Sequence, residues 1–458
     1  MDSMTHSRLA AQAGKRYIEL GLGEGLEAVR RTTRAFESSH IIVTYPPYQA
    51  LDPINHEEIG AGGRDIALYV HIPYCLNKCA YCHYVSDVAE DEKEQDRYVD
   101  YLKKEVELVS RIFNLKDKRV GSVHIGGGTP TTLKTPVLIE LIDKVKEHFR
   151  VDEKAEVTLE SCPKSIIRRV GEGGFGGLID KGVSRLSIGI QSFNNKVLNI
   201  AGRKHTGRQA KQSVKLARDA GFGNINVDMM IGLPGQDTSN IHRDLEYLSM
   251  LEPESLTLYH LRLKSSVPMY DLLMEDSGRF PDIESSLTMD LMYRTYLDGL
   301  GYHEDPVNWF NKQKKYEYRH QLDKWGDKTD LVALGVAGYS HLNNTQYYNH
   351  CRLEDYYNML DQNRPPVHVG KKIPAAEQGR RHVIFRIKTR AGVDKKEYAE
   401  KYGASIDEEF AGILQTLAEQ DLIHDTQDHV RLTDKGILFA DEIARLFYSP
   451  EVDQRLGQ

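Results

Sequence analysis

The sequence is poor in cysteine and tryptophan and has no long apolar run. Its 458 residues include five cysteines and two tryptophans. Nowhere do about eighteen uncharged apolar residues follow one another, and the first forty residues contain no apolar segment typical of a secretory signal. An odd number of cysteines is poor material for a disulfide framework. We therefore expect a cytoplasmic protein in a reducing compartment.

The chain also lacks a strong excess of either charge. It has 60 Lys and Arg against 67 Asp and Glu, a formal net charge of −7. Such a balance leaves no electrostatic footprint for nucleic acid or for an anionic membrane. We expect neither as a partner.

What the sequence does contain is an alternation of short apolar runs with long amphipathic stretches from about residue 66. Helix-like segments such as DRYVDYLKKEVELVSRI separate the runs IALYVHI, VGSVHIGGG, AEVTLES, RLSIGIQ, NINVDMMIGLP and SLTLYHL. This rhythm is typical of parallel strands joined by crossover helices. It predicts an α/β fold with a partial or complete parallel (β/α) barrel of about six units.

Residues suited to chemistry gather where these runs end. Three cysteines follow the first run and a GGGT turn follows the second, while Glu160, Gln191 and Asp228 lie at or within the next three. The carboxyl ends of parallel strands meet at one face of a barrel, where active sites form. We expect these residues to line one site.

Cys75, Cys79 and Cys82 lie within eight residues of one another. A structural zinc site normally takes four protein ligands, a redox C-x-x-C motif would leave Cys75 without a role, and chance proximity is the remaining alternative. Three thiolates on one loop suit an iron–sulfur cluster with one iron free of protein ligands. His83 as a fourth ligand stays an alternative, although packing or hydrogen bonding by this neighbour is favoured.

The C-x3-C-x2-C spacing, with Tyr81 before the last cysteine, resembles the radical S-adenosylmethionine (SAM) superfamily. The resemblance extends to the oxygen-independent coproporphyrinogen III oxidase-like family, which includes methyltransferase-like members. Over about residues 66 to 440 it rests on six motifs in order: YVHIPYC, GGGTP, RLSIGIQSF, GRKHT, DMMIGLPGQ and LGVAGYSHL.

The resemblance implies a [4Fe-4S] cluster on Cys75, Cys79 and Cys82, and a SAM molecule chelated by the open iron. It assigns cofactor contacts to eight further positions: Tyr69, Gly127, Gly128, Thr129, Glu160, Gln191, Arg203 and Asp228. Missing glycine side chains would let backbone N–H groups approach a charged ligand. The plainer alternatives are that the two carboxylates cap helices or are solvated and that Arg203 pairs on the surface.

The same resemblance divides the chain into regions. Residues 301–357 are crowded with aromatic side chains, and residues 379–446 have the pattern of a strand, two helices and a hairpin before a last helix. The acidic balance of this last region argues against DNA binding. The expected regions are an N-terminal helical and irregular extension (1–65), a radical SAM barrel (66–275), an aromatic-rich extension over the substrate side (276–378) and a winged-helix-like cap (379–458).

Family members of this kind cleave SAM to a 5′-deoxyadenosyl radical with an electron from a donor such as flavodoxin or ferredoxin, and act on a small molecule. The cluster motif here runs into HYVSD, without the further cysteine of the true oxidases, and VTYPPYQAL only partly resembles their tyrosine-rich arm. These departures favour a two-SAM transfer of a methyl or methylene group. The alternatives are a coproporphyrinogen III oxidase, with porphyrin or haem-ring chemistry, and a non-catalytic haem chaperone.

Overall fold

One sheet of thirteen strands organises the protein. The computed structural model describes residues 5–33, 42–89, 91–326 and 328–457. In chain order the strands of this sheet are β1 (Asp52–Pro53), β2 (Asp65–Ile72), β3 (Arg119–Gly127), β4 (Arg150–Ser161), β5 (Arg185–Gln191), β6 (Ile225–Ile231), β7 (Ser255–His260), β8 (His303–Glu304), β9 (Trp309–Asn311), β10 (Thr329–Leu334), β11 (Tyr339–Leu342), β12 (Thr345–Asn349) and β13 (Val367–Lys372). Their spatial order is β1-β13-β12-β11-β10-β2-β3-β4-β5-β6-β7-β9-β8.

Strands β2 to β7 pair in parallel, each with the next. Helices connect them, as parallel strands require a crossover. The helices up to this point are α1 (His6–Glu19), α2 (Leu22–Thr33), α3 (Glu92–Ile112), α4 (Thr135–His148), α5 (Pro163–Gly171), α6 (Gly176–Asp180), α7 (Asn195–Ile200), α8 (Gly207–Asp219) and α9 (Thr238–Leu251). The predicted six-unit parallel barrel is thus confirmed in its partial form.

The sheet continues past the expected boundary at residue 275. Strand β10 pairs in parallel with β2, with Ala333 opposite Tyr69. The pairs that extend from β10 through β11, β12 and β13 to β1 are antiparallel, as are the pairs β7–β9 and β9–β8 at the other edge. Strand β2, which leads into the cysteine-bearing segment, therefore lies inside the sheet, with a parallel neighbour on each side.

Side chains along the parallel strands alternate between two environments, as strand geometry dictates. On β2, the residues Ile66, Leu68, Val70 and Ile72 are fully buried in the apolar core. Val70 packs with β3, β4 and α4 residues in an apolar layer, whereas Tyr69 lines a cavity on the opposite side of the sheet. This alternation forms a core and a polar site from the same strands.

The amino-terminal region is helical, as its patterning indicates, and α1 packs on α9 and on the later helix α11 (Ile283–Gly299). The last part of the helix-like segment GEGLEAVRRTTRAFESS falls outside the described residues. The remaining helices are α10 (Pro268–Glu275), α11 (Ile283–Gly299), α12 (Arg319–Trp325), α13 (Leu353–Asp361), α14 (Ala375–Arg386), α15 (Lys395–Tyr402), α16 (Ile406–Glu409), α17 (Ala411–Glu419), α18 (Asp434–Ile437), α19 (Ala440–Arg445) and α20 (Pro450–Arg455).

The carboxyl-terminal region contains the expected hairpin in a second sheet, of order β14-β16-β15, with bounds β14 (Val393–Asp394), β15 (Ile423–Asp425) and β16 (His429–Leu432). The strand expected near its start is instead the helix α14. Its apolar residues Val383, Ile384 and Phe385 are consecutive and all buried, which resembles a strand pattern but here reflects a helix enclosed on most sides. In the described part of the chain, no helix has the length and apolarity to cross a membrane.

Candidate active site

The inner face of the parallel strands carries a row of polar side chains. Tyr69, His124, Glu160 and Asp228, which lie on β2, β3, β4 and β6, all line one cavity. They occupy alternate positions to the buried apolar residues, because successive side chains point to opposite faces of a strand. The strands thus gather the predicted site residues at one edge.

The three cysteines lie on the loop between β2 and α3, and the same cavity is bounded by all three. Backbone hydrogen bonds fasten this loop at two points: Cys75 N–H donates to Asp87 O (2.8 Å) near its ends, and Ala80 N–H donates to Ala201 O (3.1 Å) at its middle. Gly202, at a φ of 74°, permits the second contact, since a Cβ there would lie 2.9 Å from the Ala80 nitrogen. The loop is therefore held in one position against its neighbours.

The GGGT turn packs directly under the cysteine loop. A Cβ on Gly128 would lie 2.6 Å from the Tyr74 carbonyl oxygen, so only glycine fits. The amides of Gly128 and Thr129 donate to Ile72 O (2.8 Å) and Tyr74 O (2.7 Å), and the amide of Gly127 donates to Oε2 of Glu160 (3.0 Å). These N–H groups have protein acceptors, which differs from the expectation that they approach a charged ligand. The glycines serve close packing instead.

The chemistry of the three thiols fits an iron–sulfur cluster. All five cysteines of the chain are free, and burial together with the neighbouring thiols of Cys82 and Cys79 raises the pKa of Cys75 to about 11. Thr129 Oγ1 donates to Cys75 Sγ (3.6 Å) and Arg203 Nη1 donates to Cys79 Sγ (3.3 Å). Hydrogen bonds to sulfur are among the contacts by which proteins tune such clusters.

A single metal ion fits less well. Over the ranges that the structure describes, no three His, Cys, Asp or Glu side chains converge to hold one metal ion. A cubane cluster binds each thiolate through a different iron, so its ligands lie farther apart than those of one ion. His83, the alternative fourth ligand, stacks on Tyr84 with ring centroids 5.2 Å apart, and burial followed by the charge of Lys264 lowers its pKa to about 4.

The two carboxylates differ in their surroundings. Burial opposes ionisation of Glu160, but His124, whose Nε2 donates to Oε1 (2.9 Å), and the Gly127 amide outweigh it, so its pKa lies below the usual value. Asp228 accepts from Asn226 Nδ2 (2.7 Å) and Ser187 Oγ (3.1 Å). Burial and the nearby charge of Glu160 nevertheless raise the pKa of Asp228 to about 6. Neither side chain caps a helix in this structure.

In the described part of the chain, Gln191 and Arg203 each have a buried polar atom without a hydrogen-bond partner. Gln191 ends β5 at a φ of 72°, an uncommon conformation for a residue other than glycine. Its Oε1 and the Nε of Arg203 are buried and unbonded, while Arg203 Nη2 donates to the Gly189 carbonyl. Unpaired buried polar groups are costly, and both residues line the cavity. Arg203 is thus inside the site and not on the surface.

The cavity has a volume of about 310 Å³. Stacked rings form part of its wall: Tyr69 stacks between Tyr339 (centroids 6.0 Å apart) and His124 (5.7 Å), and His124 stacks on His320 (5.3 Å). A hydrogen bond between Tyr318 OH and His124 Nδ1 (2.7 Å) orients that ring toward Glu160. The stacked rings therefore suit a flat ligand beside the cysteine loop.

Several residues that line the cavity were not predicted individually from the sequence. Tyr318, His320, Lys324 and Trp325 come from α12 or the residue before it, and Tyr339 begins β11. These segments lie in the aromatic-rich region, whose role over the substrate side was expected only as a whole. His124, in contrast, could have been predicted from the sequence. It lies on β3 two residues before the glycine turn, and strand alternation places it on the same face as the glycine turn, as it places Tyr69 on β2.

Comparison with known proteins identifies the class. The radical SAM superfamily model matches residues 69–248, and the HemN C-terminal domain model matches residues 373–439. The chain belongs to the radical SAM superfamily and carries the HemN-type C-terminal domain. Membership implies a [4Fe-4S] cluster and SAM as cofactors, and the residues described above fit both.

Within that class the chain groups with HemN and HemW proteins. It is 28% identical over 380 residues to the heme chaperone HemW of Bacillus subtilis, covering 83% of this chain and 98% of that protein. It is 27% identical over 376 residues to the oxygen-independent coproporphyrinogen III oxidase of Helicobacter pylori, covering 79% and 80%.

Among solved structures, coproporphyrinogen III oxidase (HemN) from Escherichia coli has the same fold, with a TM-score of 0.78 at 23% identity, covering 88% of this chain and 96% of that one. Methyl transfer, which the sequence favoured, finds no support among these relatives, whereas both alternatives do.

Proposed function

We propose that this protein is a radical SAM enzyme that acts on a carboxylate-bearing tetrapyrrole, and that oxidative decarboxylation of a propionate is the reaction to test first. The carrying observation is the cavity, in which aromatic walls and cationic side chains stand beside the cysteine loop. Flat conjugated molecules stack on aromatic rings, and carboxylates pair with ammonium and guanidinium groups. The oxidase relatives support this choice.

In this proposal Cys75, Cys79 and Cys82 hold the cluster, which together with SAM supplies, when bound, a carbon radical that abstracts hydrogen. Glu160 and Asp228 offer anionic acceptors to the amine and ribose hydroxyls of SAM. Gln191 and Arg203 offer the polar atoms that the protein leaves unpaired. Tyr69 and the glycine turn shape the wall next to them. One SAM molecule is sufficient for this chemistry.

The proposed reaction is balanced in electrons. A donor of the flavodoxin or ferredoxin class supplies one electron when SAM is cleaved to methionine. Hydrogen transfer from the substrate side chain yields 5′-deoxyadenosine and a substrate radical next to the ring. Loss of carbon dioxide and one electron from that radical forms a vinyl group, and the electron returns to the oxidised donor. Each decarboxylation thus consumes one SAM molecule.

Hydrogen bonds fix the orientation of two histidine rings in the site, His124 and His71. Tyr318 OH hydrogen-bonds with His124 Nδ1 (2.7 Å) and His124 Nε2 donates to Glu160 (2.9 Å), which holds the ring with its Nε2–H facing the carboxylate. His71 has its own fixed arrangement, because Nδ1 accepts from Tyr69 OH (3.0 Å) and Nε2 donates to Val85 O (2.8 Å). Glu160 can therefore remain an ionised acceptor within an aromatic wall.

The test uses anaerobically reconstituted protein with SAM, reductant and coproporphyrinogen III. We expect 5′-deoxyadenosine, carbon dioxide and a vinyl-bearing porphyrinogen in equal amounts per step. Formation of S-adenosylhomocysteine with a methylated product would instead restore methyl transfer. Absence of any substrate-dependent 5′-deoxyadenosine with this and other propionate-bearing tetrapyrroles would contradict the proposal.

A second candidate is haem binding without turnover. It is favoured by the relative named heme chaperone HemW, which this chain covers over 98% of its length. Haem titration of the reconstituted protein separates the two. A chaperone should bind haem stoichiometrically and release no substrate-dependent 5′-deoxyadenosine, whereas an enzyme should turn over.

A further inference from the structure

The cationic side chains of the cavity wall differ in whether they have a carboxylate partner. Lys388 Nζ pairs with Asp441 Oδ1 (2.5 Å), and Arg262 pairs with Glu442. Both acidic residues lie on α19, so the carboxyl-terminal region neutralises two of the cations that face the cavity. These ion pairs are built into the wall.

Lys324 has no such carboxylate. It lies on α12 and lines the cavity, and among the described residues its ammonium contacts only Tyr339 OH (3.2 Å) and the face of the Tyr339 ring (5.7 Å). An ammonium group has three N–H donors, so two have no acceptor within residues 5–33, 42–89, 91–326 and 328–457. Lys388 and Arg381 are close enough to disfavour its charge, and burial with these two cations lowers the pKa of Lys324 to about 7.

The aromatic rings near Lys324 indicate what kind of ligand could pair with its ammonium group. Trp325 follows it on α12, carries Lys388 Nζ over its ring (4.5 Å), and meets Trp309 edge-on at 5.6 Å. Tyr339 continues into the stack with Tyr69. An ammonium against the Tyr339 ring, with no carboxylate partner among the described residues, suits a carboxylate attached to a flat conjugated group.

We propose that Lys324 is a substrate-recognition residue that binds a carboxylate of a flat conjugated ligand, with Lys388 flanking it. This inference rests on the proposed function for the identity of that ligand as a tetrapyrrole, but not for the presence of the carboxylate subsite. A charge-assisted hydrogen bond in a part-buried site strengthens binding roughly tenfold or more.

The experiment uses tryptophan fluorescence, because both tryptophans of the chain, Trp309 and Trp325, line the cavity. Binding is measured with two matched pairs of probes: coproporphyrin III and its tetramethyl ester, and 2-naphthoate and 2-naphthamide. The variants are Lys324→Met and, as control, Lys328→Met, an exposed lysine just before β10. Thermal unfolding checks that both variants are folded.

We expect Lys324→Met to weaken coproporphyrin III roughly tenfold and to affect the ester less than twofold. The naphthoate pair should differ in the same direction, and Lys328→Met should behave as the unaltered protein. Unchanged affinity of the acids for Lys324→Met overturns the inference, and so does equal weakening of acids and neutral analogues, which would mean that Lys324 only shapes the cavity.

The two proposals fail separately. If the unaltered protein binds 2-naphthoate through Lys324 but binds no coproporphyrin III, the carboxylate subsite stands and the tetrapyrrole proposal falls. If it binds coproporphyrin III without regard to Lys324, the subsite falls and the tetrapyrrole proposal stands. If the unaltered protein binds neither 2-naphthoate nor coproporphyrin III, both proposals are overturned.

Discussion

His124 donates a 2.9 Å hydrogen bond from Nε2 to Oε1 of Glu160, joining neighbouring strands β3 and β4 across the inner face of the sheet. The contact keeps the pKa of Glu160 below its usual value although burial acts in the opposite direction. A carboxylate that stays ionised in an aromatic cavity is a suitable partner for a cation or for hydroxyl donors. In the proposed function, the pair therefore connects the sheet geometry with SAM binding.

Replacement of Glu160 by Gln tests this role. We expect SAM affinity to fall roughly ten- to a hundredfold, corresponding to about 1.5–3 kcal/mol for a charge-assisted hydrogen bond, with iron content unchanged. Isothermal titration of the reconstituted protein measures the affinity. Glu153→Gln, at an exposed position of the same strand, should bind SAM normally. Equal affinity in Glu160→Gln would return this residue to a purely structural role.

Replacement of any one of Cys75, Cys79 and Cys82 by Ala should abolish assembly of a stable cluster. The remaining two thiolates leave a second iron corner without a protein ligand. Iron and sulfide analysis after anaerobic reconstitution provides the measurement. Cys162→Ala and Cys351→Ala should retain full iron content, and full SAM cleavage by Cys79→Ala would contradict the cluster assignment.

A methyl group on Gly128 should displace the cysteine loop. The added Cβ in Gly128→Ala would lie 2.6 Å from Tyr74 O and 2.8 Å from Ile72 O, and backbone atoms cannot yield as a flexible side chain can. We expect loss of most iron and of SAM cleavage. Gly171→Ala is the matched control, because no atom lies within 4 Å of its added Cβ. Normal iron content in Gly128→Ala would show that the turn accommodates a side chain.

In the SAM-free protein, we expect the buried carboxylate of Asp228 to destabilise the folded state when it is ionised. Its pKa in the folded protein is about 6, against the usual 3.8, because of burial and then Glu160. The folded state therefore binds more protons between these values, so the contribution of Asp228 to stability is greatest below about pH 4 and is lost as pH rises through 6.

Above pH 6, Asp228→Asn should be more stable than the unaltered protein by roughly 1–3 kcal/mol, and the difference should shrink toward pH 5. Urea unfolding of the SAM-free protein at several pH values measures this. The same variant should bind SAM more weakly. A stability difference that does not change between pH 5 and 7 would exclude Asp228 as its source.

Much of the barrel was predictable because local pattern and final structure agree there. The runs RLSIGIQ and SLTLYHL coincide with β5 and β7 to within one residue, since apolar strands between amphipathic helices have few alternatives. The cysteine loop was equally visible, because its ligands are adjacent in sequence.

The other side of the site was not predictable in this way. Lys324 and Tyr339 reach the cavity only because β10 pairs with β2, and no local periodicity encodes a pairing between segments so distant in sequence. The helix α14 was missed because its buried apolar residues are consecutive, a pattern that strands and enclosed helices share.

The parallel pairing of β10 with β2 also has a consequence during protein synthesis. About 260 residues separate the two strands along the chain, and a ribosome adding roughly 5–20 residues per second needs on the order of 15–50 seconds to make them. Throughout that interval the strand leading into the cysteine loop keeps one edge without its partner, and an unpaired edge is open to wrong associations. Cluster insertion into nascent chains should therefore be productive only after residue 334 has left the exit tunnel.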